Sequence, residues 1–186
     1  MILSIGGIFM LYVIIGIAIF VIIWFVLTTN DFKKKQIKIE ESSSDIDVAL
    51  QKRFDSLTKM LDVATSYAKL EKETILEAIR LRKGMSIDEK IEAQKKMNNA
   101  FEKINLVAEQ YPEMQVNEQF VILQKEIADV EEHIQASRRA YNANVSNLNQ
   151  AIVIFPNSII AKMSGINKID FYKTEENKKE DPILKF

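Results

Sequence analysis

Chemistry in a helical protein usually means carboxylates and histidines projecting from neighbouring helices, and this sequence holds a single histidine, His133. A di-iron carboxylate site takes inward-facing Glu plus a Glu-x-x-His pair from each of two helices. The residue three before His133 is Val130, and no second histidine completes the set. One chain therefore cannot assemble that centre. His133 also falls beside the apolar stripe of its helix, where a solvated side chain is expected. The absence of cysteine removes thiol nucleophiles, thiolate metal sites, disulfides and a lipidated N-terminal cysteine together. No Gly-x-Gly-x-x-Gly turn and no phosphate-cradling lysine loop occurs, and no spacing groups a nucleophile with a base. The sequence thus assigns no catalytic, cofactor-binding or metal-ligating residue and no cofactor, and it reads as a protein that is not an enzyme.

Two polar clusters remain. Asn142, Asn144, Asn147, Asn149 and Gln150 crowd one stretch, although amides are mediocre helix formers. Asn142 and Asn149 lie next to Tyr141 and Leu148, beside the apolar seam. They are either buried amides that fix the register of neighbouring helices or part of a solvated face. Asp47 and Arg138 each border an apolar stripe and are candidates for an ion pair between helices. Tyr67, Phe101 and Tyr141 are either core aromatics or the walls of a cavity for an apolar ligand.

The elements that position these residues are long helices. Phe120, Leu123, Ile127, Val130, Ile134, Ser137, Tyr141, Val145, Leu148, Ile152 and Phe155 recur in steps of three and four, one helical stripe that would run for roughly 54 Å. A helix of that length needs partners along its whole seam. A second stripe, Ile46, Leu50, Phe54, Leu57, Leu61, Ala64, Ala68, Ile75 and Ile79, predicts a helix running to about Arg82 and capped near Gly84. Ser86 to Glu89 matches a capping box that opens a helix with the seam Met97, Phe101, Ile104, Ala108 and Tyr111, closed by Pro112. Asn117 is the expected N-cap of the longest helix, and the short loop before it makes the two neighbours antiparallel. After Pro156, one or two turns fit between Ser158 and Met163. Charged residues crowd Lys173 to Asp181 and are bracketed by Phe171, Tyr172, Ile183, Leu184 and Phe186. That tail is either frayed or docked on the bundle at both ends.

The N-terminus has another solvent in mind. Residues 1–30 contain no acidic or basic side chain, and about 20 apolar residues suffice to span a bilayer. A signal peptide would need a basic start and a small-residue cleavage site. Trp24 suits the interfacial belt. Lys33, Lys34, Lys35 and Lys38 follow the span and no basic residue precedes it, so the positive-inside rule puts the N-terminus outside and the C-terminal domain in the cytoplasm. The same lysines could meet anionic headgroups. The chain has 186 residues, 47% of them apolar, enough for one domain with a core. Five Gly and three Pro leave few turn signals. A net charge of -1 argues against non-specific nucleic-acid binding.

One family resemblance is visible. Ile134 to Asn142, with Val145, Leu148, Asn149, Ile152 and Phe155-Pro156-Asn157, resembles the signature segment of the LemA family. Ile46-Asp47-Val48, Leu50, Lys52-Arg53, Asp55, Tyr67-Ala68 and Glu71 stand where that family's first-helix motif would place them. Ser43, Thr58-Lys59 and Leu70 depart from it, replacing a Trp, a Pro-Asn and a His. Ser42-Ser43-Ser44 has the composition of a flexible joint, but the resemblance implies a helix straight through. It also implies a membrane-anchored helical bundle without an established reaction.

The expected protein is therefore all-α. A transmembrane anchor occupies 1–30, an elongated antiparallel bundle of three long helices and one short C-terminal helix occupies 31–165, and the tail occupies 166–186. Its expected place is the cell membrane, crossed once, with the bilayer as partner through residues 2–27. An interaction or scaffold role implies an unidentified protein partner, with homo-oligomers open, and the alternative is an apolar ligand or lipid held between the helices. A chain beginning at Asp31 is expected to be soluble and largely helical by circular dichroism. Aggregation of that shortened chain would show that the N-terminal span belongs to the core.

Overall fold

The computed structural model describes residues 2–173, and its regular structure there is entirely helical. In chain order the helices are α1 (Ile2–Thr65), α2 (Lys72–Ile79), α3 (Ile87–Gln110), α4 (Pro112–Gln115), α5 (Glu118–Val153) and α6 (Asn157–Met163). Ile183, Leu184 and Phe186, expected to dock the end of the tail, lie outside the described residues. The chain divides into two compact units: Met1–Glu40 with Ala143–Asp170, and Glu41–Asn142 with the residues from Phe171 on. The triple serine causes no joint, since Ser42, Ser43 and Ser44 are all inside α1.

The larger unit packs the second part of α1, α3 and the first part of α5 around one core. Ile46, Leu50, Leu57, Met60 and Leu61 of α1, Met97 and Ile104 of α3, and Phe120, Ile127 and Ile134 of α5 are all buried. Arg53 pairs with Glu131, and Asn117 bonds to the Tyr67 hydroxyl, so α1 and α5 are antiparallel. Lys90 pairs with Asp47, and Tyr67 stacks at 6.4 Å on Tyr111, so α1 and α3 run the same way. Residues 66–86 must then carry the chain back along α1, and α2 lies within that return.

This return replaces the single helix expected to reach Arg82. The Thr65 and Ser66 hydroxyls donate to the Asp62 and Val63 carbonyls at 2.9 and 2.6 Å, competing with the helical ladder. Beyond them Tyr67 is drawn onto Tyr111 and Asn117, and Lys72 pairs with Asp62 at the start of α2. Gly84, at φ +77, serves a turn and caps no helix; α2 is instead capped by Arg80 at φ +33. The next boundaries lie where the sequence puts them. Ser86 and Glu89 form a reciprocal capping box on α3, Pro112 occupies the first turn of α4, and Asn117 Oδ1 accepts from the Phe120 N–H at 3.1 Å.

In the smaller unit, Phe32 and Ile39 of α1, Val145 and Leu148 of α5, and Ile160 and Ala161 of α6 are buried. The stripe of α5 stops short of its expected end: the helix finishes at Val153 and Phe155 is 76% exposed. Pro156 lacks the N–H that another turn would need. Gly165, at φ +66, ends α6 in a Schellman turn, with Ile166 N–H donating to Ala161 and Gly165 N–H to Lys162.

Burial separates two kinds of residue on α5. Ile127→Ala or Leu148→Ala, which empties a buried site, is expected to cost about 2–5 kcal/mol. Gln124→Ala, at an exposed site, should stay within about 0.5 kcal/mol. Chemical denaturation of the three variants measures the contrast, and equal small effects would place the seam on the wrong face of α5.

Candidate functional site

The polar groups inside the larger unit are concentrated on three contacts. Lys90 is the first. Its side chain is only 2% exposed, and its ammonium lies 2.8 Å from Asp47 Oδ1 while donating to the Ser43 carbonyl at 2.9 Å and the Ser43 hydroxyl at 2.8 Å. An ammonium has three protons and here finds three acceptors, which is the condition for burying it without a large desolvation loss. Arg53 is the second. It is 5% exposed, and its Nη1 lies 2.8 Å from Glu131 Oε2 without the alignment of a hydrogen bond. Burial pulls the Arg53 pKa down and Glu131 pushes it back.

The third contact holds the chain after α6. Tyr172 is 2% exposed; its hydroxyl donates to Gln94 Oε1 at 3.1 Å, and the Arg138 guanidinium lies 4.6 Å from its ring centroid, within cation–π range. Burial pushes the Tyr172 pKa up to about 12, with Arg138 opposing and Glu131 and Asp47 adding to the rise. Asn142 grips the backbone of the same residue, accepting from Tyr172 N–H at 2.8 Å and donating to its carbonyl at 3.0 Å. In the smaller unit Asn149 does the same to Ile169, both bonds at 2.9 Å. A side-chain amide presents one acceptor and one donor as a neighbouring strand would, so each asparagine satisfies a backbone pair that no helix or sheet partners.

These positions sort the sequence-derived candidates. Asn142 and Asn149 are structural amides, though they hold the chain after α6 and not the register of two helices. Asp47 is engaged by Lys90, and Arg138 covers Tyr172. His133 is exposed. Tyr141 is buried in the core and Tyr67 is stacked on Tyr111, while Phe101 is half-buried. Clefts along Thr74–Lys96, Lys59–Glu126 and Ser44–Met85 include none of these three aromatics among their lining residues. Among the described residues no group of three His, Cys, Asp or Glu could hold a metal ion. Lys90 and Gln94 belong to no motif that the sequence displays. Their signal was phase: stepping back from Met97 by threes and fours lands on Gln94 and Lys90, polar residues on an apolar seam.

Two surfaces stand apart from this interior. One is the apolar run of α1, exposed at every described position from Gly7 to Ile23. The other is a basic cleft just beyond it, lined by Asp31, Lys34, Lys35, Lys38, Asn144 and Asn147.

Residues 42–186 match the LemA family. The chain belongs to the LemA family. Protein LemA of Metamycoplasma hominis is 26% identical over 178 residues, 93% of this chain and 81% of that protein. Magnetosome protein MamQ of Magnetospirillum gryphiswaldense is 26% identical over 86 residues, which are 46% of this chain and 31% of that protein. The LemA match takes in α2 to α6, the tail clamps and Lys90, and it begins within α1, past the apolar run.

Tyr172 yields a pH prediction. Its pKa is raised in the folded chain, so the stability it lends is fully present below the unfolded value near 10. It is lost as pH climbs from there through about 12. Across that window the wild type should lose on the order of 2 kcal/mol more than Tyr172→Phe, read by denaturation at successive pH values. At neutral pH Tyr172→Phe should itself cost about 1–3 kcal/mol, because the buried Gln94 oxygen loses its donor. Parallel pH curves for the two proteins would show that the phenol is not buried.

Proposed function

We propose that this LemA-family chain is held in the cytoplasmic membrane by one helix and acts there as a non-enzymatic interaction or scaffold module. The observation that carries the reading is the exposed apolar surface of α1. Its most apolar 18-residue window has a mean hydropathy of 3.0 and none of that window is buried. Phe9, Met10, Tyr12, Phe20, Ile22 and Leu27 are each more than 60% exposed, and they lie on different sides of the helix. Keeping one large apolar side chain in water forfeits about 1.5–3 kcal/mol of transfer free energy, and the run repeats that loss along its length. Lipid removes that penalty, and a helix satisfies its own backbone there.

Lys33, Lys34, Lys35 and Lys38 supply the orientation. With no basic residue before the span, the positive-inside rule puts the N-terminus outside and the bundle in the cytoplasm. The non-enzymatic part is supported by Lys90, Arg53 and Tyr172, which are engaged with neighbouring side chains and backbone and are not among the lining residues of the clefts described above. An interaction module then works through its surface, with a protein partner or a second copy.

The membrane reading expects the full chain to stay with the membrane through alkaline carbonate extraction. A reporter joined after Phe186 should be active only on the cytoplasmic side; activity only on the outer side would reverse the orientation. Affinity purification from the native membrane should bring down a defined protein partner or further copies of the chain. Turnover of a substrate by the purified protein would end the non-enzymatic reading.

A further inference from the structure

The stretch of α1 that follows the apolar run shares its smaller unit with the start of the last part of α5, and the two build a cleft. Lys34 and Lys35 lie three and four residues after Asp31, and Lys38 lies four and three residues after them, so the four occupy one face of α1. Asn144 and Asn147 are three apart and occupy one face of α5. These six side chains line a cleft of about 360 Å³. Asn144 Nδ2 donates to the Lys38 carbonyl at 3.1 Å, tying the two walls together. Lys35 is paired with Asp31, while Lys34, Lys38 and Asn147 are exposed. Three ammonium groups and one carboxylate line the opening, and Asn147 adds an uncharged N–H donor. Ammonium and amide donors around one opening suit the oxygens of a phosphodiester. Lys34 lies seven residues beyond Leu27, about 10 Å along the helix. If the apolar run lies in the hydrocarbon, that is the depth of the headgroups.

We propose that this cleft binds the phosphate of an anionic phospholipid headgroup. The inference rests on the membrane reading above and goes beyond it: the lysines are part of a built site with asparagine walls, in addition to being a topology signal. Diffuse attraction to an anionic surface would treat every lysine near the membrane alike. A cleft does not. Lys33 is as close to the apolar run as Lys34, is also exposed, and is not among the lining residues.

The test uses the full chain in phosphatidylcholine vesicles containing phosphatidylglycerol, re-extracted in mild detergent, with retained lipid counted by mass spectrometry. Phosphatidylglycerol should be enriched over its share of the vesicle. Lys34→Gln and Lys38→Gln should each lower its retention about fivefold, the equivalent of about 1 kcal/mol per lysine. Asn147→Ala should lower it without changing charge, and Lys33→Gln should leave it unchanged. All four changes are at exposed positions, and an unaltered helical signal verifies the fold. Equal losses for Lys33→Gln and Lys34→Gln, with Asn147→Ala silent, would overturn the site in favour of diffuse attraction. Inorganic phosphate at millimolar concentration should not displace the lipid; displacement, with phosphate bound in pure phosphatidylcholine, would make a soluble anion the ligand and overturn the lipid assignment. Stable insertion without enrichment defeats this inference alone. Failure to resist carbonate extraction defeats the membrane reading and this inference with it.

Discussion

An apolar seam of Ile, Leu, Val and Ala can slip by a turn at modest cost, because one buried aliphatic replaces another. What forbids slippage in this chain is the need of a few buried polar groups for particular partners. Lys90 can be buried only where Ser43 and Asp47 supply its three acceptors, which sets α3 against α1. Arg53 opposite Glu131 does the same for α1 against α5. Each contact contributes more to uniqueness than to stability, since a desolvated ion pair roughly cancels its own attraction. Removing one partner is another matter, because the survivor is left buried and unmatched.

That division separates features written locally in the sequence from those that depend on distant partners. The seam of α5 follows from spacing alone, and the capping box at Ser86, Pro112 and the Asn117 cap follow from backbone chemistry that is local in sequence. Gly165 belongs to the same class. The end of α1 does not. No glycine or proline marks Thr65, and α2 has helical periodicity of its own, so Ile75 and Ile79 continue the count of threes and fours across a break. The return of the chain through residues 66–86 depends on Tyr67 finding Tyr111 and Asn117, a contact between residues about forty to fifty positions apart. Propensity carries no information about such a pairing.

The asparagine-rich end of α5 was legible as an anomaly and not as a device. Amides at Asn142 and Asn149 cost helix propensity, and their position beside the seam suggests helix register or a solvated face as the reason, not a clamp on another segment. The reason lies in a segment without helix or strand. The backbone at Ile169 and Tyr172 needs acceptors and donors that no ladder supplies, and each amide supplies one of each. Tyr172 adds a ring under Arg138 and a hydroxyl on Gln94. The chain after α6 is thereby part of the fold as far as Tyr172, by means that resemble the capping of a helix more than the packing of one.

The same accounting bears on catalysis. An active site keeps polar groups in readiness, facing a cavity and poised by a perturbed pKa. Here the buried ammonium, the buried guanidinium, the buried phenol and the two clamping amides are each engaged by side chain or backbone. Tyr172 is moved by burial away from physiological pH, which makes it a poorer acid and not a poised one. The lone histidine is out in solvent. The lysines of the proposed headgroup site stand elsewhere, on the face of α1 that begins where its apolar run ends. The proposed membrane role draws on this pairing of an interior whose charged groups are engaged with one another and an exposed apolar helix beside a basic cleft.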